Sequence, residues 1–186
     1  KLFSKQKILY LNLSDLYFKN KDLEKGILTL KEGIKIFPKF IPLRFNLAIM
    51  YRNLGLVELS IKTHLEILID DQFNSNSYYE LSTMYDFSNH NEQLKTLLNI
   101  ETGNLSKMEK IYFCYSKANV FHNKKNYKES AYFLKIANDE KLKIQPSDLK
   151  RKLNTGEYFR NLKIDQNLNF ERVKDSNQYL FIVGMP

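Results

Sequence analysis

Apolar residues recur through most of the chain at the three- and four-residue spacing of an amphipathic helix, and polar turn-forming residues interrupt them regularly. The interruptions are rich in Asn, Asp, Gly and Lys and lie at 19–22, 53–55, 88–91 and 123–126. This pattern predicts pairs of helices joined by short turns. Only six glycines and four prolines occur in 186 residues, too few for a turn-rich sandwich or barrel. The predicted fold class is therefore all-α.

The helical segments repeat with a period of 34 residues. Four consecutive units are predicted at 7–40, 41–74, 75–108 and, after two extra residues, 111–144. Each first helix carries a small residue and each second helix is expected to carry another, because small side chains let two backbones approach closely. Leu9, Leu13, Leu16 and Tyr17 are expected to fill the seams between helices and between units.

The first unit holds a characteristic series at fixed spacings: Leu13, Ser14, Tyr17, Gly26, Leu30, Gly33 and Pro38. This series resembles the tetratricopeptide repeat, a family of paired antiparallel helices. The resemblance implies a right-handed α-solenoid that binds proteins or peptides in a concave groove. Leu94, Glu101 and Lys117 depart from the pattern, so the register of units three and four is less well defined than that of units one and two.

In a solenoid of this kind the first helix of each unit faces the groove, which is wide enough for an extended peptide or a helix. The groove positions are occupied by Asn12, Asp15, Lys19, Phe45, Asn46, Arg52, Asn53, Tyr79, Glu80, Asp86, Asn119, His122 and Asn123. Asn12 and Asn46 hold the same unit position, and an amide both donates to and accepts from a peptide backbone. This resembles the start of the asparagine ladder in the O-GlcNAc transferase repeats, although Glu80 and Ser116 interrupt it. The alternative is a solvated face packed against another domain.

The C-terminal part of the chain has a different pattern. Pro146 and the residues after it predict a capping helix at about 147–162, so that the repeat array occupies 1–162. Residues 163–186 are expected to form a polar linker and the strand Tyr179–Val183. The run Phe181–Pro186, ending in Gly184, Met185 and Pro186, resembles the opening of the phosphosulfate-binding loop of sulfotransferases. That resemblance implies a truncated sulfotransferase domain in cis.

Composition and charge narrow the candidate functions further. The net charge is +8, and most of the excess lies between Lys107 and Lys152, which would suit an anionic partner. However, lysine far outnumbers arginine, as expected of an AT-rich genome, and this argues against specific nucleic-acid recognition. The single cysteine, Cys114, fits the cytoplasm, and the first twenty residues lack an uninterrupted apolar core. No membrane span, metal site or catalytic group is expected, since His64, His90 and His122 fall in three different units.

These observations lead to one functional hypothesis and one alternative. The hypothesis is a non-catalytic, substrate-presenting scaffold at the N-terminal side of a bacterial sulfotransferase. The region itself is expected to bind no cofactor, and its parent would use 3'-phosphoadenylyl sulfate. The alternative is a free-standing adaptor that binds an extended peptide or a helix in its groove.

Overall fold

The computed structural model of the protein describes residues 2–85, 87 and 91–146. Within them the chain forms eight α-helices and no β-strand. The helices are α1 (Leu2–Lys19), α2 (Leu23–Ile36), α3 (Ile41–Asn53), α4 (Val57–Asp70), α5 (Ser75–Met84), α6 (Asn91–Asn99), α7 (Lys107–Asn123) and α8 (Tyr127–Ile144). The array is an all-α solenoid in which α1 packs on α2, α3 on α4 and α7 on α8. The predicted capping helix, linker and strand lie outside the described residues.

Three turns inside the helix pairs contain a residue in the left-handed backbone conformation. Lys21, Gly55 and Lys125 adopt positive φ values of 60°, 77° and 59°, a left-handed conformation that ends one helix and redirects the chain into the next. Gly55 follows Lys21 by 34 residues and precedes Lys125 by 70, which is two periods plus two residues. Side chains then cap the following helices in two of these turns, where Asp22 accepts from the Lys25 amide and Asn126 from the Glu129 amide.

Small residues lie where helices cross. Ser14 and Ala48 are fully buried on first helices, and Gly26 and Ser60 are buried on the second helices of the same two units. Leu94 stands at the corresponding position of α6 and is also buried, so a larger side chain fits there. The small residues predicted from the sequence thus occupy tight crossings.

The outer face of α1 corrects a prediction made from the sequence. Leu9, Leu13 and Leu16 are 65%, 39% and 56% exposed and do not fill a seam, whereas Tyr17 is half-buried against α2. The residues equivalent to these three leucines, one period later in α3, are all buried: Leu43, Leu47 and Met50. The reason is coverage, because α2 packs over α3 whereas no described helix precedes α1. The sequence pattern predicted the helix correctly, but it does not show whether another helix packs against its apolar face.

The buried side chains form two clusters. The first core joins α2 and α3 through Ile27, Leu30, Leu43, Leu47, Met50 and Tyr51. The second core runs from α4 to α7 through Leu68, Tyr78, Leu81, Phe87, Leu94, Leu97, Phe113 and Val120. The first core is mainly aliphatic, whereas aromatic rings fill much of the second.

Lys117 accounts for one departure from the repeat pattern, on the first helix of unit four. It occupies the position at which Leu47 and Leu81 are buried, and it is itself only 4% exposed. Its Nζ donates to the carbonyl oxygens of Leu98 and Ile100, at 3.1 and 2.8 Å, where α6 ends. These bonds satisfy helix-end carbonyls that would otherwise lack partners. Lys117 therefore serves as an internal cap for the end of α6, and its burial lowers the pKa of its ammonium group.

Candidate peptide-binding face

The predicted groove residues lie on the first helices of the units. Helix α1 carries Asn12, Asp15 and Lys19; α3 carries Phe45, Asn46, Arg52 and Asn53; α5 carries Tyr79 and Glu80; and α7 carries Asn119, His122 and Asn123. Asp86 lies outside the described residues, as do Gly184, Met185 and Pro186.

Some of these side chains meet across unit boundaries. The guanidinium of Arg52 on α3 donates to the Glu80 carboxylate on α5. The Asn119 amide on α7 donates to the hydroxyl of Ser82 on α5 at 3.0 Å. The ring of Tyr79 also lies against α7, at 6.0 Å from the ring of Tyr115. The first helices α3, α5 and α7 are thus joined by polar and aromatic contacts along one row.

Two of the predicted residues have internal roles on α3. The Phe45 ring lies edge-on at 5.4 Å from the buried imidazole of His64, so it packs against α4. The Asn53 side-chain amide donates to the Ile49 carbonyl of its own helix at 2.8 Å. Both side chains are therefore engaged within their own helix pair.

Four further predicted residues lie near the C-terminal ends of first helices, whereas Asn12 is exposed in the middle of α1. Asp15 and Lys19 pair with each other on α1 at 2.6 Å. The His122 ring lies 5.5 Å from the ring of Tyr127, across the turn that follows α7. Asn123, the last residue of α7, is exposed.

A cleft opens between the first helices of units one and two. Its volume is about 140 Å³, and it is lined by Asp15, Phe18, Asn46, Ile49 and Met50. Asp15 and Asn46 are predicted groove residues. This α1–α3 cleft presents an apolar floor with a carboxylate and an amide on its walls.

A second cleft is lined mostly by residues that the sequence analysis did not single out. It also measures about 140 Å³ and is lined by Tyr79, Met108, Ile111, Tyr112, Tyr115, Lys141, Ile144 and Gln145. We call it the tyrosine cleft. Tyr79 was predicted as a groove residue, and the three-residue spacing of Tyr112 and Tyr115 places both on one face of α7, where each ring contacts Tyr79. The contribution of α8 had no such signal, because its residues join the cleft only through the packing of α8 on α7.

Charges beside the tyrosine cleft are arranged unevenly. Glu140 accepts from Lys110 at 2.8 Å and from Lys143 at 3.1 Å. These two bonds lower the pKa of Glu140, and the bond to Glu140 raises the pKa of Lys110. Lys141 is different, since it forms no ion pair with any residue that the structure describes.

The chemically reactive side chains are dispersed. His64 is fully buried, and burial lowers its pKa to about 4, with the Arg52 charge adding to the shift. Cys114 is fully buried, and burial raises the pKa of its thiol. His90 lies outside the described residues. In the described part of the chain, no three His, Cys, Asp or Glu side chains are grouped so that they could hold a metal ion.

Comparison with known proteins identifies one of the units. Residues 9–40 match the tetratricopeptide repeat family. The matched tetratricopeptide unit begins within α1 and continues beyond α2, and it contains Asn12, Asp15 and Lys19. No curated protein matches the chain. Tetratricopeptide repeats are generally interaction modules, so the match supports a scaffold role. No helix among the described residues is long and apolar enough to cross a membrane.

Proposed function

We propose that this tetratricopeptide array binds an extended peptide or a helix of a partner protein along the row of first helices α1, α3, α5 and α7. The observation that carries the proposal is the pair of clefts on this row. Each has an apolar floor and a charged side chain on its wall, Asp15 in the α1–α3 cleft and Lys141 in the tyrosine cleft. Peptide grooves use apolar recesses for side chains and polar groups for orientation.

The α1–α3 cleft lies where two side chains differ from those at the next unit boundary. Phe18 and Asn46 line this cleft. One period later the same positions hold Arg52 and Glu80, which form an ion pair joining α3 to α5. The array is therefore bridged at one unit boundary and open at the one before it. The Asn46 amide at the opening suits a peptide backbone, since it both donates and accepts.

The proposal is tested with a random peptide library displayed on phage and selected on the full chain. We expect enriched peptides whose binding falls about tenfold or more in the variant carrying Asp15→Arg and Asn46→Arg, because both introduce charge and bulk into the cleft. The matched control carries Glu66→Arg and Asn99→Arg, which make the same changes of charge at exposed positions of second helices. Failure to enrich any peptide, or equal losses in variant and control, would contradict groove binding.

We further propose that the array presents substrates in cis to a bacterial, cytoplasmic sulfotransferase that uses 3'-phosphoadenylyl sulfate. The support is the run Phe181–Pro186, with its resemblance to the start of a phosphosulfate-binding loop. Such loops deliver the chain to a helix N-terminus whose free amides bind anionic oxygens. The gene should then encode Arg-Ser-Gly-Thr after Pro186. A stop codon or an unrelated sequence at that point would instead favour the free-standing adaptor.

A further inference from the structure

The tyrosine cleft has the size and walls of a recess for one aromatic ring. Tyr79 lies 5.4 Å from Tyr112 and 6.0 Å from Tyr115, ring centre to ring centre. Met108 and Ile144, both more than 40% exposed, add aliphatic surface that is not covered by the described chain. An apolar cavity of about 150 Å³ accommodates a benzene ring. The volume of about 140 Å³ therefore matches a single phenyl side chain.

The walls are held in place by bonds of their own. The Tyr115 hydroxyl donates to the Asn138 side-chain carbonyl at 2.7 Å, which ties α7 to α8 beside the cleft. Lys110 and Glu140 link the same two helices. A recess whose walls are already fixed loses little conformational entropy when a ligand enters it.

The charge of Lys141 at the edge of the cleft determines which residue is favoured next to a bound aromatic side chain. The Lys141 ammonium is 5.9 Å from the Tyr115 ring centre, and among the described residues that line the cleft it is the only charged group. The nearby carboxylate of Glu140 is already shared by two other lysines. A cluster of tyrosine rings can also attract a cation, but the ammonium of Lys141 repels one. A carboxylate beside the bound ring is the complementary partner.

We propose that the tyrosine cleft anchors a phenylalanine or tyrosine side chain of a partner peptide, and that an adjacent Asp or Glu pairs with Lys141. This inference rests on the proposed function and specifies its ligand. The wider charge distribution favours the same partner, since residues 107–146 carry more lysines than acidic residues. Binding should therefore be strongest for acidic segments that contain an isolated aromatic residue.

The experiment uses the full chain labelled with ¹³C at the methionine methyl groups. The four methionines give few signals, and Met108 in the tyrosine cleft is assigned by Met108→Leu. The probe is an eight-residue peptide with one phenylalanine flanked by aspartates. We expect a saturable ring-current shift at the Met108 methyl. A matched peptide with alanine in place of phenylalanine should bind about tenfold more weakly or worse, since burying the ring supplies most of the affinity.

Charge reversal tests the second half of the inference. Lys141→Glu should weaken binding of the aspartate peptide by about threefold to tenfold and favour a peptide with lysines in place of the aspartates. The matched control is Lys135→Glu, an equal change on the exposed surface of α8 outside the cleft. Equal effects of the two reversals, or no shift at Met108, would overturn the inference.

Met50 separates failure of this inference from failure of the proposed function. Its side chain lines the α1–α3 cleft. A shift at Met50 without one at Met108 would place the peptide in the other cleft, so the groove would bind peptides but the tyrosine cleft would not be the anchor. Absence of any methyl shift, together with an unproductive library selection, would count against both.

Discussion

The boundary between units one and two and the boundary between units two and three use the same positions with different side chains. At the first boundary, Leu30 on α2 and Leu43 on α3 are both fully buried in the first core. One period later these positions hold His64 and Ser77, which are equally buried, with His64 Nδ1 3.3 Å from the Ser77 hydroxyl. A helix crossing of this repeat therefore tolerates either an apolar pair or a hydrogen-bonded polar pair.

The two boundaries also differ in which helix carries the larger side chain. Gly33 on α2 makes room for Leu43, since a Cβ at Gly33 would lie 3.1 Å from a Leu43 methyl carbon. At the equivalent positions one period later the large residue is Ile67 and the small one is Ser77, both fully buried. At these two crossings the large and the small side chain have changed places, and both arrangements fill the buried space between the helices.

The largest expected effect comes from truncating the apolar pair. Leu43→Ala removes a fully buried side chain and leaves a cavity, so it should lower the free energy of unfolding by about 4 kcal/mol. Ser77→Ala at the equivalent position removes only the hydrogen bond to His64 and should cost about 1 kcal/mol. Urea unfolding followed by circular dichroism measures both. Similar losses in the two variants would show that the two boundaries do not differ in this way.

The polar pair should make stability depend on pH in a way that the apolar pair cannot. Folding lowers the pKa of His64 to about 4 from an ordinary value near 6.5, chiefly through burial. Between these values the unfolded state binds more protons, so stability rises with pH. About 3 kcal/mol should be lost as the pH falls from about 7 to 4, since one pKa unit corresponds to about 1.4 kcal/mol.

His64→Gln provides the matched control for this pH dependence. Glutamine keeps a side-chain hydrogen-bonding group near Ser77 but does not titrate. Carboxylates with lowered pKa values, such as those of Glu109 and Glu140, contribute to acid unfolding in both proteins. The difference between the two stability profiles therefore isolates the imidazole. Parallel profiles from pH 4 to 7 would mean that His64 is protonated without cost.

The sequence predicted the fold well because its signals are local. Turn-forming residues and helical spacing place the helix pairs, and the left-handed turn residues Lys21, Gly55 and Lys125 lie in three of the predicted turns. Exposure was harder to predict, as Leu13 and Leu47 share a unit position yet only Leu47 is covered. Burial depends on which neighbour is present, and a periodic pattern carries no information about that.

The candidate site was only partly predictable for the same reason. The groove positions follow from the repeat, and Asp15, Asn46 and Tyr79 do line clefts. The other wall of the tyrosine cleft depends on how α8 packs against α7, which brings Lys141 beside Tyr115 from 26 positions away. No spacing rule in one sequence predicts such a contact.

A smaller effect on stability is expected from alanine substitution at the two glycines of α2. A Cβ at Gly33 would lie 2.9 Å from Cγ of the Tyr10 ring. A Cβ at Gly26 would come too close only to the flexible end of Met50, at 2.7 Å, and would lie at an ordinary contact distance of 3.5 Å from the Tyr17 Cβ. Gly33→Ala should therefore cost about 1 kcal/mol after the helix propensity gained by alanine, and Gly26→Ala should be close to neutral. Urea midpoints measured in parallel test this. A larger loss at Gly26 would mean that Met50 cannot move aside.

The smallest effect concerns the ion pair that bridges units two and three where units one and two leave a cleft. Arg52 and Glu80 are partly exposed, so a double-mutant cycle with alanine at each should give a coupling of about 0.5 kcal/mol that shrinks with added salt. Phe18 and Asn46 hold the equivalent positions at the open boundary, and the same cycle there should give a coupling near zero.

Peptide binding gives a second test of the same contrast. The double variant Arg52→Phe, Glu80→Asn places the side chains of the open α1–α3 boundary at the closed α3–α5 boundary. If side chains alone decide where the groove opens, this variant gains a second site for peptides that bind the α1–α3 cleft. An unchanged stoichiometry would show that the α3–α5 boundary is closed by its backbone packing.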